Sequence, residues 1–465
     1  MRRLQARPLF AWNPAMPQSS AASLDLAGGW AVRRLAEAER RAAILPPEAV
    51  NAHVRKVGCV GVVGAGTMGA GIALACLNAG FAVSLFDQSA EVLRRGADAI
   101  RTDFARRVTK GRMSSGDAAI ALRRLTIAET LDELASVDLV IEAVFESLQI
   151  KREVFAQLDR ICRADCVLAS NTSTLDFDQI AGATGRPHEV VGLHFFSPAN
   201  VMRLVEIVRG RETAPDILAT AMAFVQRLNK VGVLVGNCYG FAANRMIEGF
   251  GREANLMLLE GASPQAIDAA LTGFGMAMGP LAVADIVGID VPYRARLENS
   301  QAAPGDRAYY RMADCLVAAE RLGQKTGRGY YLYPDDARRG VPDPEFAALA
   351  AMEGRNLGVR QRDLLPAEIV DRCILPIVNE GARVLQEGIA QRPSDLDVIY
   401  VSGFGFPAAL GGPMTYADNR GLDRVLARIR EFSDLYGESY WRPAELLVDL
   451  AARGGRFSDL SGDRP

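Results

Sequence analysis

Only three histidines occur among the 465 residues, so a proton-transfer role for imidazole, the side chain that titrates nearest neutrality, can be weighed position by position. His53 lies in a leading segment and His188 follows Pro187 in a loop, and both read as surface side chains. His194 differs, because it sits inside the apolar run Val190 to Phe196 just before Ser197-Pro198, where a strand would end at the carboxyl edge of a sheet. Taken alone it fits either a hydrogen-bonded core histidine or a general base. Twelve residues on, Glu206 interrupts the apolar run Leu204 to Val208, and a carboxylate buried there must be paired. A His194-Glu206 pair would orient the imidazole and stabilise its protonated form. On pattern alone, an outward-facing Glu206 on an edge strand is the alternative.

A second constellation is Gly64-Ala65-Gly66-Thr67-Met68-Gly69, which follows the apolar run Val57 to Val63 and opens a stretch of helical spacing from Ile72 to Leu77. Small residues there permit a tight turn and close approach of a pyrophosphate to backbone amides at a helix start. With 44 glycines in the chain the bare pattern is weak, and a glycine-rich turn of some other sheet protein is its bland reading. The next apolar run, Ala82 to Phe86, ends on Asp87, 21 residues after Gly66, where a carboxylate can accept from an adenosine ribose. Asp87 would repel a 2′-phosphate and Gln88-Ser89 offers no compensating arginine, so the expected cofactor is NAD rather than NADP.

The elements that must position these groups follow from texture. Length predicts roughly three domains. Apolar residues at 49% and charged residues at 23% exclude wholesale disorder. The 53 basic and 55 acidic residues leave a net charge of −2, so no global field draws the chain to nucleic acid or an anionic membrane, and no apolar run has the length of a membrane span. Seven cysteines, with Cys162 and Cys166 the only close pair, lack the spacing of a zinc site and read as thiols in a reducing compartment. Arg2, Arg3 and Arg7 allow an organellar presequence, but Pro8, Pro14 and Pro17 break any signal-like core, and a cytoplasmic location is expected. From Lys56 short apolar runs alternate with amphipathic stretches, including Leu139 to Ala143, Cys166 to Ala169 and Val231 to Val235, the pattern of a parallel sheet covered by helices.

Beyond residue 240 the pattern is helical, and it is duplicated. Asn244-Arg245, Glu260-Gly261, Ile267-Asp268, Gly273-Phe274-Gly275, Gly279-Pro280 and Asp285 recur in order as Asp371-Arg372, Glu387-Gly388, Leu396-Asp397, Gly403-Phe404-Gly405, Gly412-Pro413 and Asp418. The predicted organisation is a segment and linker helix over 1–55, with the helix at Val32 to Leu45; a nucleotide-binding sheet domain over 56–238; a helical domain over 239–335; a polar, flexible connection over 336–363; and a second, degenerate helical copy over 364–465.

Gly64 to Gly69, Asp87, Ser170-Asn171-Thr172-Ser173-Thr174, Gly192 to Pro198 and Gly240-Phe241-Ala242-Ala243-Asn244-Arg245 together resemble the 3-hydroxyacyl-CoA dehydrogenases of fatty-acid β-oxidation. The likeness runs from about residue 30 almost to the end, and is greatest to the dehydrogenase half of the multifunctional enoyl-CoA hydratase/3-hydroxyacyl-CoA dehydrogenases. It implies an α/β Rossmann-type domain followed by two homologous all-α domains. It further implies NAD-dependent oxidation of a (3S)-3-hydroxyacyl-CoA with His194 as base, Glu206 as its orienting carboxylate, and Ser173 and Asn244 on the substrate's hydroxyl and thioester carbonyl. Read without it, Ser173 fits a turn residue and Asn244 a helix cap. The family pattern places Glu146, Lys151 and Lys325 on NAD and Lys110 on the CoA nucleotide, although unaided Glu146 and Lys151 read as a solvated helical charge pair. Arg106, Arg107 and Arg112 beside Lys110 read as a solvated helix face.

Two positions differ from parts of the family pattern: Ser197, implied to lie near the nicotinamide, where single-function relatives usually carry Asn and fused relatives share this Ser, and Asp103, which replaces a Ser that touches CoA in some relatives and sets a carboxylate close to phosphates. About 55 residues precede the first strand, too few for a hydratase fold, so hydratase activity is expected to be absent and any hydratase or thiolase to be a separate partner. Two helical copies in one chain predict intramolecular pairing and a monomer. The competing readings are a β-hydroxyacid dehydrogenase with a lysine base acting on a free carboxylate, and a non-catalytic NAD-binding protein.

Overall fold

The computed structural model describes residues 33–298, 300, 302–303, 305–337 and 339–461; the arginines of the leading segment lie outside the described residues. Two compact units are present. One comprises Glu37–Arg245 with Val384–Gly403, the other Met246–Arg383 with Phe404–Pro465. The second helical copy is therefore divided, with the strip Val384–Gly403 folding with the sheet.

The sheet has eight strands: β1 Cys59–Val63, β2 Ala82–Phe86, β3 Leu125–Ile127, β4 Leu139–Glu142, β5 Val167–Ser170, β6 Val190–Phe195, β7 Leu204–Arg209 and β8 Val231–Gly236, in the order β3-β2-β1-β4-β5-β6-β7-β8. Seven coincide with apolar runs. The three residues of β3 are too few to show a period. β1, β4, β5 and β6 are almost wholly buried, as strands covered on both faces by helices must be. The expectation of a parallel sheet needs one correction: β7 runs antiparallel to β6, pairing His194 with Glu206 directly. Only residues 196–203 join these strands, and a parallel crossover needs about a dozen residues or more. β8 then runs parallel to β7 because the helix Pro215–Arg227 provides that crossover.

The leading helix is present over 33–42. Arg392 donates to the carbonyls of Arg41 and, at 2.8 Å, Ile44, so the end of this helix is satisfied by a side chain of the second copy.

In the helical unit the duplication is visible in the hydrogen bonds. The helix Pro280–Val287 and its counterpart Pro413–Arg420 each carry an aspartate that accepts two successive amides from a later segment: Asp285 from Tyr330 N (2.9 Å) and Tyr331 N (3.0 Å), Asp418 from Phe457 N (2.7 Å) and Ser458 N (3.1 Å). Gly249 meets Pro376, its equivalent by the 127-residue offset; a Cβ on Gly249 would lie 2.6 Å from the proline Cβ. Equivalent positions in contact mark a pseudo-two-fold pairing of the copies, extended by Phe274 edge-on to Phe406 and Tyr416. The connection is not the flexible strand of polar residues expected. A helix, Pro344–Asn356, occupies its centre, begun by Asp343 accepting from Glu345 N and burying Phe346 and Ala350; of its three large apolar residues, Phe346, Leu349 and Met352, only Phe346 is fully buried, and so narrow a face between polar neighbours reads as a connection.

Asp285 also accepts from Tyr333 Oη at 3.1 Å, and burial pushes its carboxyl up to about 6 against these donors. A carboxyl raised in this way contributes stability that is present below its ordinary value of 3.8 and lost as pH rises through about 6. Urea melts should therefore show wild type ahead of Asp285→Asn by a wider margin at pH 5 than at pH 7; equal margins would mean that the carboxyl titrates alike in the folded and unfolded chain.

Candidate active site

The glycine loop joins β1 to the helix Thr67–Asn78. Gly64 has φ +102°, and a Cβ there would lie 2.5 Å from the Ala143 carbonyl oxygen; a Cβ on Gly69 would lie 1.8 Å from the Gly64 oxygen. Nothing lies within 4 Å of the position a Cβ on Gly66 would take. The first glycine thus permits the turn, the last permits the helix to approach it, and the middle one leaves open space in front of the helix start. Gly66 precedes that helix without a side-chain cap, so the amides of Thr67, Met68 and Gly69 remain donors without helical partners. Asp87, at the end of β2, accepts from Ala65 N at 2.8 Å and Ser89 N at 2.9 Å, which fixes its carboxylate beside the loop. These residues fit a dinucleotide: amide donors and open space for a pyrophosphate, and an acid for a ribose.

His194 and Glu206 face each other across β6 and β7. His194 Nδ1 lies 2.7 Å from Glu206 Oε2, and the two residues are 4% and 0% exposed, which resolves the choice between an outward-facing and a paired Glu206. The other oxygen, Oε1, accepts from Ala242 N (3.2 Å) and Ala243 N (2.9 Å) at the start of the helix Ala243–Leu259. An ionised carboxylate only accepts, so Nδ1 carries the proton towards Glu206 and the Nε2 lone pair is left for chemistry. Phe196 and Phe241 pack on the imidazole at centroid distances of 4.4 and 5.7 Å. Ala242 and Ala243 reach Glu206 because Gly240 and Phe241 both adopt positive φ, 69° and 50°.

Glu146 and Lys151 are not a solvated pair. Lys151 is 1% exposed and its Nζ lies 2.6 Å from Glu142 Oε1 and 3.1 Å from Glu146 Oε2. Glu142 closes β4 and also accepts from Ser170 Oγ (2.7 Å) and Val144 N (2.8 Å). Glu146 Oε1 accepts from Thr172 Oγ1 and Ser173 N, each at 2.7 Å, and from Ser173 Oγ at 3.2 Å. Burial opposes ionisation of Glu146, but the Lys151 charge and these donors overcome it and hold the carboxyl below its ordinary range. Burial likewise lowers Lys151, and the two carboxylates more than reverse it. Glu142 is a site residue the sequence reading missed; its signal was an acid closing a buried strand nine residues before a lysine.

Asn244 Nδ2 donates to the Ser173 carbonyl at 3.3 Å, so Asn244 and Ser173 stand together. Ser197 is exposed just beyond β6, and Lys110 is exposed at the end of the helix Ala90–Thr109. Arg106 and Arg107 are not merely a solvated face: both pair with the buried Asp103, whose charge is thereby neutralised by its own helix. His53 and His188 are exposed. Lys325 belongs to the helical unit and pairs with Asp290. Among the described residues no cluster of side chains could hold a metal, and no helix is long and apolar enough to cross a membrane.

A dinucleotide loop, a buried histidine-carboxylate pair on the same sheet and an asparagine at the following helix start are the arrangement of the NAD(P)-binding dehydrogenase class of folds. Residues 59–238 match the family model of the 3-hydroxyacyl-CoA dehydrogenase NAD-binding domain, and residues 240–333 and 369–464 each lie within matches to its C-terminal domain. The chain belongs to the 3-hydroxyacyl-CoA dehydrogenase family. It is 39% identical over 418 residues to the peroxisomal bifunctional enzyme of Danio rerio, covering 87% of this chain and 57% of that protein; the chain thus spans little more than half of that relative. Among solved structures it is similar to 3-hydroxybutyryl-CoA dehydrogenase from Escherichia coli K12 (TM-score 0.73, 28% identity, 86% of this chain and 99% of that one). It is also similar to the dehydrogenase part of multifunctional enzyme 1 from C. elegans (TM-score 0.66, 31% identity, 90% and 96% covered).

Removing one partner of a buried ion pair typically costs about 3–5 kcal/mol because the other charge is stranded. Lys151→Met is expected to lose about that much in urea unfolding, and Lys151→Met with Glu142→Gln to regain part of it. A single mutant as stable as wild type would show that water reaches Glu142.

Proposed function

We propose that this chain is an NAD-dependent (3S)-3-hydroxyacyl-CoA dehydrogenase that forms 3-ketoacyl-CoA in fatty-acid β-oxidation. The observation that carries the reading is the buried His194-Glu206 pair, its Nε2 free, in a chain of this family. Thr67, Met68 and Gly69 amides would hold the pyrophosphate and Asp87 the ribose, with Glu146 and Lys151 shaping the wall near the nicotinamide and Ser197 and Lys325 as further contacts. When bound, NAD supplies the acceptor for the hydride that leaves C3. His194 Nε2 takes the proton of the C3 hydroxyl, Glu206 stabilises the imidazolium so formed, and the Ala242 and Ala243 amides hold the Glu206 carboxylate in place. The Ser173 hydroxyl and Asn244 amide would hold the substrate hydroxyl and thioester carbonyl, with Lys110 on the CoA nucleotide. A lysine base acting on a free carboxylate is disfavoured by Lys151, whose ammonium is committed to two carboxylates.

Turnover of acetoacetyl-CoA with NADH, followed by NADH absorbance, tests the reading. His194→Gln should lower kcat by about a hundredfold or more, within the range of general-base contributions, and leave NADH binding intact; near-wild-type turnover would remove the base assignment. NADH should be strongly preferred to NADPH, and equal efficiency would take Asp87 off the ribose.

We further propose a monomer in the cytoplasm, working with a hydratase or thiolase partner. The seven cysteines are all free thiols, which fits a reducing compartment, and the paired copies occupy within one chain the surface that symmetric dimers share. Light scattering at micromolar concentration should return the mass of one chain; a stable dimer would mean that another face is used.

A further inference from the structure

The second helical copy carries Asp371 where the first has Asn244, and Asp371 is bound by Arg420 and Arg428, an arrangement without a free amide for a substrate. Its strip Val384–Gly403 nevertheless folds into the sheet unit. There Gly236 N donates to the Ile389 carbonyl at 2.7 Å, and Arg245 holds Glu387 through two nitrogens at 2.5 and 2.8 Å. Gly403 packs on Leu204 so closely that a Cβ would lie 2.6 Å from its Cδ2. Tyr400, on the helix Pro393–Gly403 and 0% exposed, donates its hydroxyl to the Ala243 carbonyl at 3.2 Å.

We propose that Tyr400 is a positioning residue for the dehydrogenation proposed above, acting through Ala243 and Glu206 on His194. Ala243 supplies the shorter of the two amide contacts to Glu206 Oε1, and it follows two residues at positive φ, one of them Phe241, a conformation that side chains rarely adopt. Such a turn persists only where its surroundings hold it. Locally it is held by Phe241 N on the Cys238 carbonyl (3.1 Å) and by Asn244 N and Arg245 N on Gly240 (3.0 and 3.1 Å). Tyr400 donates to the Ala243 carbonyl, in the peptide next to the one whose N–H reaches Glu206, and so steadies the residue that makes that contact. The second copy therefore reaches the base through a chain of three hydrogen bonds without touching substrate. Of the remaining titratable groups near Glu206, the Cys238 thiol is pushed up by burial and does not compete for the carboxylate as an ion.

The test uses the whole chain with Tyr400→Phe, which keeps the buried ring, and Ile399→Val, a packing change at a neighbouring buried position of the same helix. Both retain Asp395, which burial pushes up to about 6, so its titration is common to the comparison. Tyr400→Phe should lower kcat about fivefold, the size of one ordinary hydrogen bond, and move the alkaline limb of the kcat/KM pH profile for acetoacetyl-CoA reduction, where the imidazolium is the proton donor, upward by about half a pH unit, because a Glu206 less satisfied by amides attracts the imidazolium more strongly. KM for NADH should not move. Ile399→Val should lower Tm and leave the profile in place. If wild type turns over acetoacetyl-CoA and Tyr400→Phe keeps its kcat and profile, or the two variants differ from wild type only in Tm, the positioning role is overturned while the dehydrogenase reading stands. An inactive wild type would overturn that reading instead, and the positioning role with it.

Discussion

The two oxygens of Glu206 tie the chemistry to the architecture. One accepts from the histidine on the neighbouring strand, the other from two amides that begin the next helix. A carboxylate removed from water is tolerable only when every strong acceptor direction is answered. The antiparallel turn between β6 and β7, the left-handed residues Gly240 and Phe241, and the helix start at Ala243 all follow from that requirement. Any of them displaced would leave a buried charge short of partners and an imidazole free to rotate.

The same logic repeats around Lys151. Its ammonium lies between Glu142 and Glu146, and Glu146 in turn gathers the Thr172 to Ser173 segment. Two buried charges and the half-buried Glu146 are arranged so that each one's desolvation is offset by its neighbours. The cluster acts as a rigid floor to the turn, and its cost makes it sensitive to the loss of any member.

Duplication solves a different constraint. A helical domain of this kind has an apolar face that must be covered, and the two copies cover each other about a pseudo-two-fold. Equivalent groups exchange roles across the repeat: Arg372 of the second copy holds Glu260 of the first within the helical unit, while Arg245 of the first holds Glu387 of the second within the sheet unit. The copies have since diverged where chemistry was not shared. Asp371 is locked by two arginines, and the strip around Tyr400 buttresses the other copy's site.

Much was legible from residue order alone. The glycine loop announces itself because backbone sterics forbid other residues there, as the 1.8 Å approach at Gly69 bears out, and strand periods and the ordered repeat are one-dimensional properties. His194 and Glu206 were each visible as polar interruptions of apolar runs, since a buried polar group is costly wherever it occurs. That they face each other was one of two readings, because the pairing depends on β7 reversing direction. Lys151 looks like half of a solvated charge pair until the sheet places Glu142 against it. Ala242 and Ala243 offer only backbone donors, which carry no residue signature, and the helix Pro344–Asn356 buries too narrow an apolar face to stand out from its polar neighbours. Tyr400, 157 residues from the amide it steadies, acquires its role only where the folded chain brings a second copy's helix against a first copy's turn. Sequence determines what each residue can afford to bury locally; which distant group answers it is decided by the tertiary contacts, because hydrogen bonds and charges act across space and leave no spacing rule along the chain.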